Sequence, residues 1–358
     1  MLNKFKNSAH RIWSQWISFL HFARDHRIEI NPKDWFKGVA LLLLGWGLLG
    51  IDAVIFKEPI NSMGYKINFS VQFATGVLLI ILIRAIYKLL MPRKLGVVEF
   101  LKISHENEIS GSAILAPKTR KRLIFTRGLI GAGGYIGFQL ARVAVGTIDN
   151  AIIYGADSLM YVLLAILLLK ERYNLREWSG IATMICGIGV IVLFDLMSMN
   201  RDLAIKGCLL GLSSSFSLAI ILILTSIIVQ HDHPVRVVFY QCFCGLLISL
   251  FFLLISAPEI ASFDFAHFDI KSALGEGLLY AVACICFLQA FYYVDPIIVA
   301  ISSYSLDLYA VLFNSWINDE LINTQTGASA VLIALGSAIL IRAEYKKFRK
   351  KQQNQSKE

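Results

Sequence analysis

Charge is scarce in this chain. Of 358 residues, 16% are charged and 56% are hydrophobic, against roughly 25% and 45–50% in an ordinary soluble domain. That balance excludes a soluble globular protein. Other absences narrow the field further. The six cysteines, Cys186, Cys208, Cys242, Cys244, Cys284 and Cys286, all fall in apolar runs and form no Cys-x-x-Cys pair. They read as small apolar helix residues, not as zinc ligands or a disulfide framework. No Walker motif is present, which argues against ATP hydrolysis by this chain. No nucleophile–base or metal constellation falls at one depth, so no catalytic residue, metal or cofactor is assigned. The first long apolar run starts near Gly38 and lacks a small-residue cleavage pattern, so no cleavable signal peptide is expected.

Long apolar runs are what the chain does have, and they define an all-α polytopic membrane protein, because helices satisfy their own backbone in lipid. Residues 148–169 form one such run, broken mid-way by Asp157. A charged turn, Lys170 to Arg176, follows, and a second run covers residues 178–194 with Gly180, Gly187 and Gly189. Each run has about the length a helix needs to cross the hydrocarbon core. Ten spans are expected: residues 38–56, 69–90, 128–145, 148–169, 178–194, 207–229, 235–257, 273–294, 297–317 and 328–341. Residues 1–36 carry an apolar stripe at helical spacing, Ile12, Trp16, Leu20 and Ala23, flanked by basic residues. They are expected to form an amphipathic segment on the inner membrane face.

The net charge of +9 does not point to nucleic acid. The lysines and arginines sit at the ends of apolar runs, where they set orientation. The amino-terminal segment, the 91–126 loop, the Lys170–Arg176 turn and the tail 343–358 hold most of them. With ten spans, all four lie on one side. Both termini are therefore expected in the cytoplasm, in an inner (cytoplasmic) membrane.

The chain also repeats itself. A shift of about 149 positions lays residues 128–193 on residues 277–342 without a gap, with about 16 identities in roughly 66 positions. Gly128 meets Gly277, Glu171 meets Glu320 and Gly187 meets Gly336. The repeat unit, residues 37–195 and again 203–342, has an odd number of spans, five. Its copies must then cross the membrane in opposite senses, which is inverted-repeat architecture.

These stretches resemble the drug/metabolite transporter superfamily in its EamA-type branch. The similarity is carried by Arg127-Gly128-Leu129 opening a span, Leu167-Leu168-Leu169-Lys170-Glu171-Arg172 closing another, and the glycine-bearing run 178–193. The second copy is similar at Leu288-Gln289-Ala290-Phe291 and Asn318-Asp319-Glu320. The resemblance implies ten spans in two inverted halves and transport of small metabolites. Where many members carry a proline mid-way through the fourth and ninth spans, this chain has Ser158 and Asp307, and its 91–126 loop is unusually long. A branch that imports S-adenosylmethionine is similar around residues 290–300 and Tyr304.

An acid at bilayer depth is costly and usually faces a cavity or a partner. Asp157 and Asp307 fall near the centres of the fourth and ninth spans. Tyr154, Asp157 and Tyr161 share one helix face, as do Ser303, Tyr304, Asp307 and Asn314. These two stripes are the expected substrate-binding surface, with a polar helix–helix contact as the bland alternative. Gln139 and Arg142 on the third span, and Gln289 with Tyr292 and Tyr293 on the eighth, are further candidates. Arg142 could take a substrate carboxylate or pair with Asp157 or Asp149. Asp52 reads as a solvated acid near the outer end of the first span, and His231-Asp232-His233 as a solvated turn. The glycines of the third span read as close helix packing.

The expected function is secondary active transport of a small polar metabolite by alternating access. An amino acid or amino-acid-like compound, S-adenosylmethionine among them, suits acids combined with one arginine. Asp157 or Asp307 is also a candidate carrier of a coupling proton. The partners expected are the small-molecule substrate and the lipid bilayer, with a homodimer among the allowed assemblies. A non-transporting receptor or scaffold is the rival.

Overall fold

A computed structural model describes residues 35–55, 62–90, 117–145, 150, 153–169, 174–198, 201–229, 232–256, 268–294, 298–299, 302–317 and 324–355. Among these are ten helices and no strand: α1 Trp35–Ile55, α2 Ser62–Leu90, α3 Pro117–Val145, α4 Ala156–Leu169, α5 Leu175–Ser198, α6 Arg201–Ile228, α7 Pro234–Ile255, α8 Ile270–Ala290, α9 Tyr304–Ile317 and α10 Thr324–Gln355. Six of them, α2, α3, α5, α6, α7 and α8, are long and apolar enough to cross a membrane. The outward faces are greasy. Leu78, Leu82, Leu193, Leu209, Phe251 and Leu254 are exposed, while Asp52, Gln72, Arg127, Gln139, Arg142, Asp157 and Glu276 are buried. This inverts the usual soluble distribution, in which acids and bases are almost never fully buried unless paired.

Several boundaries differ from the hydropathy reading. Helix α3 starts at Pro117, so residues 117–126 are helical rather than loop. Proline suits the first helical position, where its missing N–H costs nothing. The basic run Lys118 to Arg122 lengthens the helix beyond its apolar stretch. Helix α10 likewise runs through the basic tail to Gln355. Most of the amino-terminal segment, the loop 91–116, Asp149, His231, Glu171 and Glu320 lie outside the described residues.

The fourth and ninth spans are not continuous helices. Each contributes a helix of only 14 residues, α4 and α9. A turn at Gly155 precedes α4, and a turn at Ser303 precedes α9. Asp157, expected near the centre of the fourth span, instead lies in the first turn of α4. There a carboxylate complements the positive end of the helix dipole.

The two halves pack on one another by exchange. Helix α1 packs on α8 and α9, and α6 packs on α3 and α4. Helix α2 packs on α7 and α8, and α7 packs on α2 and α3, while α5 packs on α10. Replacing each helix by the one five places along maps this set onto itself. The exchange holds at single residues. A Cβ added to Gly180 on α5 would lie 2.9 Å from the Gly336 carbonyl on α10, and one on Gly336 would lie 2.6 Å from the Gly180 carbonyl. The repeat shift carries Gly180 to Ser329 and Gly187 to Gly336. Accordingly, Ser329 Oγ donates to the Gly187 carbonyl at 2.5 Å. Between α2 and α7, a Cβ on Gly76 would meet Cys242 Sγ at 2.7 Å, and one on Gly245 would meet Phe73 at 2.5 Å. Small residues at such crossings let backbones approach closely, which is how helices gain packing energy in lipid.

Candidate functional site

The polar interior is centred on two tyrosines, Tyr135 of α3 and Tyr280 of α8, whose rings lie 4.2 Å apart. Both are buried. A glutamine serves each hydroxyl. Gln72 Nε2 of α2 donates to Tyr135 Oη at 2.5 Å, and Gln241 Nε2 of α7 donates to Tyr280 Oη. The two glutamines hold corresponding places, since the Gly76–Cys242 and Gly245–Phe73 contacts set α2 and α7 in that register.

The surroundings of the tyrosines differ in charge. Beside Tyr280 stands Arg127, 5% exposed. Its Nη1 donates to Gln241 Oε1 at 2.5 Å and its Nε to Thr225 Oγ1 at 2.7 Å. Beside Tyr135 stand acids. Tyr135 Oη donates to Asp52 Oδ2 at 3.1 Å and receives a bond from Gln139 Nε2 at 2.6 Å. Glu276 and Arg142 are close enough for their charges to act on both Asp52 and Tyr135. Glu276 Oε2 accepts from Asn68 Nδ2 at 2.7 Å. Asp52, expected to be a solvated acid, is 3% exposed, because α1 turns it inward onto α3 instead of toward the rim.

A partly open cavity of about 80 Å³ lies against both tyrosines. Arg127, Gln241, Thr225 and Ser214 give it a polar side, and Trp46, Tyr154, Phe287 and Phe291 give it aromatic walls. Its lining comes from both halves of the chain. Trp46 is fixed by donating Nε1 to Ser302 Oγ at 2.9 Å and by a tilted ring contact with Phe287, centroids 4.2 Å apart. A buried guanidinium beside aromatic faces can take an anionic group on the first and an apolar or cationic group on the second.

The expected residues are distributed around this cavity. Tyr154 borders it, packed on Phe138 at 4.5 Å. Asp157 is fully buried, and its Oδ1 accepts from Ser303 Oγ at 2.6 Å. That bond joins the start of α4 to the turn before α9, so the two broken spans meet through residues the sequence had singled out. Tyr161 is buried behind Asp157 on α4. Gln139 and Arg142 belong to the acidic side at Tyr135. Gln289 is half-buried, with Nε2 at 3.5 Å from Tyr293 Oη. The backbones of Tyr304, Asp307 and Asn314 lie on α9, but their side chains are outside the described ones. Arg127, Gln241, Tyr280, Gln72, Tyr135 and Glu276 are the polar residues that the hydropathy reading passed over. Arg127 and Glu276 sit at the edges of apolar runs, where a charge looks interfacial.

At one end of the bundle, Asp232 is also buried rather than solvated. It pairs with Arg236 Nη1 at 2.8 Å and Arg120 Nε at 3.2 Å. His233 next to it caps α7, its Nδ1 accepting from Val235 N at 3.3 Å. Partial burial pulls the His233 imidazole below its usual pKa. At α8, Asp269 caps by accepting from Lys271 N and Ser272 N, and its bonds to Ser272 hold the carboxyl below the usual range.

Residues 205–342 match the model of the EamA-like transporter family. Among solved structures, 28 chains match. One, titled only as the crystal structure of a protein, is similar with a TM-score of 0.55 and 14% identity, over 86% of this chain and 97% of its own. At that identity the likeness speaks to fold alone. No curated protein matches.

Proposed function

We propose that the chain, whose residues 205–342 match the EamA-like transporter family, is a multi-pass membrane protein and a secondary transporter for a small zwitterionic metabolite. All ten helices cross the membrane in this reading, in two inverted five-helix halves. The termini and the basic Lys170–Arg176 turn face the cytoplasm. An amino acid or a compound built on one, such as a sulfonium derivative, is the class of substrate. Its carboxylate goes to Arg127, and its cationic or apolar part goes to Tyr135, Tyr154, Trp46 and Phe287.

The observation that carries this reading is the cavity, lined by both halves at the place where they exchange contacts, with a buried guanidinium on one wall. Alternating access requires a site between two bodies that can rock against each other. The Asp157–Ser303 bond joins the start of α4 to the turn before α9, and α9 carries Asp307.

The test is flux. Full-length protein in sealed vesicles, loaded with a panel of amino acids and sulfonium compounds, should exchange at least one zwitterion saturably. Arg127→Ala should abolish that exchange. Flux confined to compounds without a carboxylate would contradict the assignment of Arg127.

A further inference from the structure

The acidic side of the interior is not part of the cavity wall. Asp52, Gln72, Gln139 and Glu276 do not border the cavity, and Tyr135 touches both regions. Three acceptor atoms there, Asp52 Oδ1, Gln72 Oε1 and Gln139 Oε1, have no hydrogen-bond partner among the described residues. Their side chains are buried, with residue exposures of 3%, 0% and 3%. An acceptor left unsatisfied in a dry interior costs on the order of 1–3 kcal/mol. Three of them, on side chains that all bond the same tyrosine hydroxyl, mark a place built to receive a donor or a cation.

The charges agree. From α1 comes Asp52, from α8 Glu276, and from α3 Arg142 with Tyr135. Of the other elements against α1 and α2, α9 brings Tyr309 onto Gly50, and Lys66 of α2 donates to Ser256 of α7. Two carboxylates and one guanidinium act on the same tyrosine.

We propose that Asp52, Gln72, Gln139 and Glu276 form a second site, separate from the substrate cavity, that holds a single positive charge: a proton or a monovalent metal ion. A proton would sit on Asp52 Oδ1 and be donated to a glutamine oxygen. A sodium-like ion would be held by all three unpartnered oxygens at once, which hard oxygen ligands favour for hard cations. Tyr135, bonded to Asp52 and bordering the cavity, is the shared wall of the two sites. The site's role as the driving ion's seat rests on the transporter reading, but its occupancy can be measured on the resting protein. Failure of one is therefore distinguishable from failure of the other.

The experiment uses the purified full chain. The thermal midpoint is recorded in sodium chloride and in choline chloride at equal ionic strength. Infrared difference spectra are recorded between acidic and alkaline buffer, in search of the carbonyl stretch of a neutral carboxylic acid. A midpoint that rises with sodium but not choline, and no longer rises in Asp52→Asn or Glu276→Gln, establishes the metal-ion form. No sodium effect, together with a protonated-carboxyl band that disappears in Asp52→Asn, establishes the proton form. If Asp52→Asn fails to fold, Glu276→Gln serves instead, and the wild-type measurements alone still decide whether any charge binds. A wild-type protein indifferent to sodium and without a titrating buried carboxyl overturns the proposal. So does either signal surviving unchanged in both variants.

Discussion

Arg127 and Glu276 stand at the same place in the two halves. The repeat shift that lays Gly128 on Gly277 also lays one on the other, and both are buried. Around them the packing is matched, with Gly76 against Cys242 answering Gly245 against Phe73, and Gln72 of α2 on Tyr135 answering Gln241 of α7 on Tyr280. The charges are opposed. The exchange of contacts therefore belongs to the backbone and the small residues at helix crossings, which decide how halves can move. The chemistry belongs to the few positions where the halves differ. Matched packing with unlike charges places a guanidinium beside Tyr280 and carboxylates beside Tyr135, whose rings lie 4.2 Å apart.

The sharpest way to break this comparison is to neutralise each side in turn. Arg127→Ala should cost substrate binding about 2–5 kcal/mol, the loss expected when one partner of a buried charged contact is removed, or roughly 30-fold or more. Glu276→Gln keeps the size of the side chain and a hydrogen-bonding oxygen, and should leave binding of the same zwitterion within about threefold, roughly 0.7 kcal/mol. Substrate affinities in reconstituted protein check both. Equal losses would show that the two walls are one site.

A second test addresses the shared packing. Gly187→Ala and Gly336→Ala sit at corresponding positions of α5 and α10, and each new Cβ lands within 3.0 Å of a backbone carbonyl. Each should lower stability by about 1–3 kcal/mol, and the two losses should be similar. Gly133→Ala on α3, with nothing within 4 Å of its Cβ, should change stability by no more than about 0.5 kcal/mol. Denaturation midpoints in detergent read all three. A large loss at Gly187 with none at Gly336 would break the equivalence of the halves.

The smallest effect separates two helix caps by pH. The folded-state pKa of His233 is lowered, so its neutral form stabilises the fold. That contribution is full above about pH 6.5, the ordinary histidine value, and is lost as pH falls below it. Asp269 is also lowered. Its contribution is full above about pH 3.9, the unfolded value, and is lost only as pH falls through the lower folded value. On acidification, amide exchange at the start of α7 should speed up first and that at the start of α8 later. His233→Asn, which keeps a capping oxygen, should remove the first step. If both starts loosen together, global unfolding rather than cap titration is responsible.

The all-helical, multi-span character was legible because lipid demands long apolar runs, and charged turns separate them. The repeat was legible from Gly187, Gly336 and their neighbours, because close helix crossings tolerate little else. The breaks before α4 and α9 were hidden. No proline or charged turn marks either one, and hydropathy does not distinguish a helix from a turn such as that at Gly155. Asp157 and Ser303 were found as polar residues in apolar runs, but their bond to each other needed the three-dimensional meeting of two broken spans. The Gln72–Gln241 correspondence was missed because α2 and α7 lie outside the segment that aligns without a gap. Arg127 and Glu276 were passed over because a charge at the edge of an apolar run reads the same whether it snorkels outward or turns into the bundle.

Inversion of the two halves is the claim from which the rest follows. Leu175 and Thr324 begin α5 and α10, are related by the repeat shift and are both exposed. In a background without the six native cysteines, Leu175→Cys and Thr324→Cys would each be treated in oriented membranes with a thiol reagent that does not cross the bilayer. Labelling of the two from opposite faces is the result predicted. Labelling of both from the same face would contradict inversion and, with it, the proposed alternating-access mechanism.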